Sequence, residues 1–179
     1  VPLSLMLLDK KFSYAIIEAG ISEVGEMERL QRMIEPTIGV FSNIGDAHQQ
    51  HFSSIAQKVQ EKMRLFSDVE TLVYCSDYQE IDTEARKMKH TQLVAWGTAE
   101  HVQNAVSYVT NAGETSVTAM WKKKSYSFTI PFTDSASIEN AIHCFYVLQV
   151  LGVEYDIEKF KELPSVAMRL EQIAGRNNC

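Results

Sequence analysis

The feature that most constrains this chain is an alternation repeated along its first hundred residues. Apolar runs of strand length, Ser13 to Glu18, Thr37 to Ser42, Thr71 to Cys75 and Gln92 to Trp96, are separated by helix-length amphipathic stretches. A near-continuous run such as Tyr14-Ala15-Ile16-Ile17 is typical of a strand covered on both faces. Strands alternating with helices predict an α/β fold built on a parallel, doubly wound sheet. The first intervening helix runs from about Glu26 to Ile34, with Met27, Leu30, Met33 and Ile34 on one face and Pro36 as its stop. The second carries Ile55, Val59, Met63 and Phe66; Ser53 or Ser54 caps it, with Gln57 at capping-box spacing. A third spans about Gln79 to Met88, and residues 2 to 10 read as a short leading helix with Pro2 in its first turn.

Past Trp96 the period changes. Val102 to Thr110, Ser116 to Trp121 and Tyr126 to Ile130 alternate apolar and polar residues, separated by Asn111-Ala112-Gly113-Glu114 and by Lys122-Lys123-Lys124. These are antiparallel hairpins extending the edge of the same sheet. Helix returns at Ser135 to Leu151, capped by Asp134 or Ser135, and again at Asp156 to Leu163. Ser165 to Ala174 is a candidate last strand. The length of 179 residues suits one domain.

Composition removes several function classes. A net charge of −6 with no basic stripe argues against nucleic acid as a partner. Lys122-Lys123-Lys124, the sole basic run, reads as a solvated hairpin tip. Cys75, Cys144 and Cys179 are odd in number and widely spaced, so neither a disulfide framework nor a zinc site is indicated, and a reducing cytoplasm is expected. No apolar run is long enough to span a bilayer. The apolar N-terminus stops at Asp9-Lys10-Lys11 without a preceding basic region, unlike a signal peptide. It begins without Met, which suggests a piece cut from a longer protein.

The chemistry gathers between residues 18 and 62. Ligands of open parallel sheets bind outside the carboxyl ends of the strands. Glu18 closes one apolar run, His48 follows the next, and Lys62 lies on the helix after that. Singly, each has an ordinary reading: a surface acid, a hydrogen-bonded loop histidine, a solvated lysine. Jointly they can meet at one sheet edge, where a carboxylate suits a hard cation. A phosphate cradle is missing: there is no GxxxxGK[ST], and Lys124-Ser125 lacks the glycines of one.

The wording of this stretch adds a resemblance. Glu18-Ala19-Gly20, Gly25-Glu26, Pro36-Thr37-Ile38-Gly39-Val40 and Ser42-Asn43-Ile44-Gly45-Asp46-Ala47-His48 resemble the ATP-binding central domain of the Mur ligases. Ala47-His48 favours the branch that adds D-alanyl-D-alanine to UDP-N-acetylmuramoyl-tripeptide; folyl-polyglutamate-type ligases tend to carry Asp-His. Gln49-Gln50-His51-Phe52-Ser53-Ser54 departs from the family's wording, and Ser137 stands where the adenine helix usually has its first asparagine. Glu139-Asn140-Ala141 and Met168-Arg169-Leu170-Glu171 resemble two later family motifs.

That resemblance implies an ATP-dependent ligase working through an acyl phosphate, with Mg2+ held by Glu18, His48 and a carbamylated Lys62. It implies catalytic roles for Lys62, His48 and Arg169, and ATP contacts from Asn140, Arg169 and Asn43, Asn140 at adenine and Arg169 at the phosphates. It further implies a P-loop upstream of Val1, partner domains on both sides, and an isolated piece that is itself an inactive scaffold. The wording is also similar to versions of this ligase fused to an alanine racemase.

Overall fold

The structure is a computed structural model that describes residues 5–44 and 52–164. One mixed sheet of six strands organises them, in spatial order β1 to β6: β1 Ile38–Phe41, β2 Thr71–Cys75, β3 Gln92–Gly97, β4 Asn104–Asn111, β5 Glu114–Trp121 and β6 Lys124–Ile130. β1 to β4 pair in parallel and β4 to β6 antiparallel. Four α-helices lie wholly among the described residues: α1 Glu26–Ile34, α2 Ile55–Met63, α3 Gln79–Ala85 and α4 Ser135–Leu151. The expected doubly wound, mostly parallel sheet with a hairpin extension is therefore the observed architecture.

Local chemistry accounts for the element ends. Ser54 Oγ accepts from the Gln57 N–H at 3.1 Å, while Gln57 Oε1 accepts from the Ser53 N–H at 2.6 Å; the two serines share the cap. Asp134 Oδ1 accepts from the Ser137 N–H at 2.9 Å and opens α4, and Gly152, at φ 62°, closes it. The β4–β5 turn is Ala112-Gly113 and the β5–β6 turn is Lys122-Lys123, all four at positive φ. Two-residue hairpins of primed type require that conformation. Asn111 and Glu114 are thus the last rung of the ladder rather than turn residues.

Two apolar clusters sandwich the sheet. Leu72 and Tyr74 face Met27, Val59, Ile81 and Ala85 of α1, α2 and α3. Val73 and Cys75 face the opposite way, onto Ile142, Phe145 and Tyr146 of α4, which also covers Val117, Ala119 and Trp121 of β5. β2 is buried at every position, as expected of a strand covered on both faces, whereas β5 alternates.

Several expectations are corrected. Residues 13–18 form no strand: they run without ladder bonds, and Tyr14 and Ile16 are exposed. An apolar run becomes a strand only where a neighbour completes its backbone bonds, and among the described residues this run pairs with none, leaving β1 as the sheet edge. The leading helix reaches only Leu5 among the described residues, with turns after it. α3 stops at Ala85 rather than Met88. The 156–163 helix is a 3-10 helix over Ile157–Glu162. In α2, Ile55 is exposed while Lys58 and Glu61 are buried. Ser165 to Ala174 lies outside the described residues.

Candidate functional site

The parallel strands end on one side, and their exits build the site. β1 runs into Ser42-Asn43-Ile44, β2 into Ser76-Asp77-Tyr78 and β3 into Thr98. Asp77 clamps the second and third exits together, its carboxylate accepting from the Thr98 N–H at 2.9 Å and the Thr98 hydroxyl at 2.8 Å. A Cβ at Gly97 would lie 2.6 Å from Asp77 Oδ1, so a side chain there would push the Asp77 clamp aside.

Lys62 and Asn43 do meet, through the backbone. The Lys62 ammonium, on the last turn of α2, donates to the Asn43 carbonyl at 3.2 Å and lies 5.3 Å from the centre of the Phe41 ring. It is half-buried and has no ion pair among the described residues. Burial, and secondarily the charge of Lys58, lowers its pKa below that of an ordinary lysine. A lowered pKa raises the share of free amine, the form that adds carbon dioxide to become a carbamate, which is the direction required by the carbamylation that the resemblance implies.

Glu18 is exposed, and the segment following it is tied to the same helix. Ile21 is buried against the cluster of Phe41 and Val59. Gly25, at φ 86°, donates its N–H to Glu61 Oε1 at 2.5 Å. Glu61 is 3% exposed and also pairs with Arg64 at 3.3 Å. Neighbouring side chains of α2 thus hold both exits: Glu61 the segment after Glu18, Lys62 the segment after β1. His48 and Arg169 lie outside the described residues. No trio of metal-ligating side chains forms among the described ones.

α4 closes the other side. Asn140 is exposed on its second turn, available to a ligand. Next to it, Glu139 accepts from the Tyr78 hydroxyl at 2.9 Å. Burial, and secondarily the charge of Asp77, raises the Glu139 pKa, against the hydrogen bond from Tyr78. Burial also drives the Cys75 thiol up to about 12, so it is no nucleophile at neutral pH. One turn on, His143 Nε2 lies 3.0 Å from the Ser42 carbonyl, and Trp96 Nε1–H donates to His143 Nδ1 at 3.2 Å. Sequence reasoning missed His143, Trp96, Glu61 and the Tyr78–Glu139 pair. The one available signal was a histidine inside a helix that is apolar nearly all round.

The family model for the Mur ligase middle domain matches residues 1–148. The chain belongs to the Mur ligase family. Among curated relatives, the UDP-N-acetylmuramoyl-tripeptide–D-alanyl-D-alanine ligase of Bacillus subtilis is 24% identical over 178 residues, 97% of this chain and 38% of that protein. The ligase of the same name from Rickettsia prowazekii is 23% identical over 162 residues, covering 87% and 36%. MurF from Acinetobacter baumannii superposes with a TM-score of 0.79 at 18% identity, over 98% of this chain and 40% of that one. MurF from Thermotoga maritima, solved in complex with ADP, gives 0.69 at 18% identity, over 81% and 34%. This Mur ligase chain therefore spans less than two-fifths of those curated relatives. No helix among its described residues is long and apolar enough to cross a membrane.

Proposed function

We propose that this chain is the ATP-binding part of a cytoplasmic ligase that joins D-alanyl-D-alanine to UDP-N-acetylmuramoyl-tripeptide, through an acyl phosphate on the tripeptide carboxylate. The observation that carries the reading is the desolvated Lys62, held by the Asn43 carbonyl at the carboxyl edge of a Mur ligase sheet. Likeness to relatives named for that reaction supports the substrate assignment.

In this reading Glu18, His48 and a carbamylated Lys62 hold Mg2+, which neutralises phosphate charge when bound. Carbamylation turns a cation into an oxygen ligand and removes the electrostatic conflict of a lysine beside a metal. The exposed Asn140 of α4 and Asn43 on the β1 exit contact the nucleotide, and Arg169 stabilises the transferring phosphoryl group. Holding both substrates in register supplies the rest of the acceleration. The rest of the same polypeptide brings the phosphate-binding loop and the partner domains, and D-alanyl-D-alanine itself supplies the attacking amine.

The test is ATP-dependent phosphate release with UDP-N-acetylmuramoyl-tripeptide and D-alanyl-D-alanine, comparing this chain with a version extended to the full length of its relatives. Turnover is expected in the extended protein only. Turnover with L-alanine and UDP-N-acetylmuramate instead would overturn the substrate assignment, and no turnover with either pair would overturn the ligase reading.

A further inference from the structure

The junction between α4 and the β1 exit is built from groups that permit one arrangement of hydrogens. An indole N–H can only donate and a backbone carbonyl can only accept. Trp96 Nε1–H points at His143 Nδ1 at 3.2 Å, and the Ser42 carbonyl sits 3.0 Å from His143 Nε2. The imidazole must therefore be neutral, with its hydrogen on Nε2. A second hydrogen on Nδ1 would set two donors against each other. Trp96 and His143 are 1% and 3% exposed, with their rings edge-on at 5.2 Å, so water cannot relieve that clash. Ser42 is followed by Asn43, whose carbonyl receives the Lys62 ammonium, and His143 lies one turn along α4 from Asn140.

We infer that His143 is a positioning residue of the site: locked as the Nε2–H tautomer by Trp96, it fixes the Ser42–Asn43 backbone, and through it Lys62, in register with the helix that carries Asn140. The role assigned to Lys62 and Asn140 rests on the ligase reading above; the lock itself does not. Any imidazole buried this deeply needs both nitrogens paired, so it is the partners that decide what the pairing joins. Here both are, to two different strand ends, with the β3 side chain choosing the tautomer and the β1 backbone using it.

Nitrogen NMR of the chain labelled in its histidine rings tests the lock, with the His143 signal assigned by its loss in His143→Gln. One neutral form with hydrogen on Nε2 is expected; hydrogen on Nδ1, or a mixture, overturns the inference. Trp96→Phe removes the donor and is expected to admit the second tautomer and to shift the Ser42–Ile44 amides. His143→Leu should speed hydrogen exchange at those amides by about tenfold more than at β2, a local opening. His143→Gln, whose amide can still donate to Ser42, should restore most of it. Exchange in the leucine variant that rises equally across the sheet would make His143 merely structural and overturn the role. In the extended ligase, His143→Leu should lower kcat by about 10- to 100-fold, the range for lost orienting partners, with KM for ATP rising less and the glutamine variant recovering. An extended ligase without turnover would sink the function reading, while the tautomer and exchange results would still decide the lock.

Discussion

At the scale of single residues, burial and charge decide what each group can contribute. Among the described residues Lys62 has a carbonyl and a ring for company and no carboxylate, so those contacts stabilise the fold little. In the extended ligase, Lys62→Ala is expected to reduce turnover by about 10²- to 10³-fold while the melting temperature stays near that of the parent; matched losses in both would make the lysine structural. Glu61 is the contrasting neighbour. Its buried carboxylate satisfies the Gly25 N–H and pairs with Arg64, so Glu61→Ala should cost about 1–3 kcal/mol, measured by urea unfolding. His143 supplies a pH signature. Burial depresses its pKa from 6.5 to about 4, against the opposing pull of the Ser42 carbonyl. Between those values the unfolded chain binds a proton that the folded chain refuses. Stability is therefore complete above about pH 6.5 and falls as pH drops toward 4, by on the order of 3 kcal/mol. In His143→Gln that part of the acid loss should vanish; an unchanged profile would mean that other groups cause it.

At the scale of elements, what the sequence revealed and what it hid divide by distance along the chain. Caps, turns and helix periods are local, and Ser54 with Gln57, Asp134 at the start of α4, and the hairpin turns were all legible. Lys58 and Glu61 were not, because a charged residue in an amphipathic stretch reads as solvated until its partner is known, and Gly25 stands 36 residues from Glu61. The run at 13–18 misled for the complementary reason: apolar content announces a strand, but only a neighbouring ladder makes one. Within the site, the expected shared edge was that of Glu18, His48 and Lys62, and the Asn43 carbonyl as partner of Lys62 was not foreseen; His143 needed Ser42, 101 residues away. One element is tighter than its sequence suggests. Gly39 in β1 has Phe66 and Leu72 where a Cβ would go, at 2.6 Å and 3.0 Å. Gly39→Ala should force α2 and its following turn off the sheet at about 1–3 kcal/mol, read as a lower urea midpoint. A neutral result would show that the Phe66 ring simply rotates away.

At the scale of the whole molecule, the sheet of the described residues is flanked at one end and open at the other. β6 is flanked by the Ile157–Glu162 turn, while among the described residues β1 presents an unpaired edge with Val40 exposed, and Tyr14 and Ile16 are exposed as well. Unpaired, apolar strand edges recruit other chains. Sedimentation velocity of the isolated chain should therefore show concentration-dependent association, weakened by Ile16→Lys or Val40→Lys; a monomer at all concentrations would contradict it.

The span of the His143–Ser42 bond also sets an order of assembly. Hairpins joined by two-residue turns close over short loops, and a contact between residues 101 apart must wait for the slower search that long loops impose. The meander of β4 to β6 with α4 is then the natural nucleus, and the β1 exit docks onto it late. Pulse-labelled exchange during refolding should protect β5 amides before those of Ser42 to Ile44. A ligand bridging α4 and that exit would hold shut the part of the molecule that closes last. Its binding energy would then appear directly as resistance to unfolding.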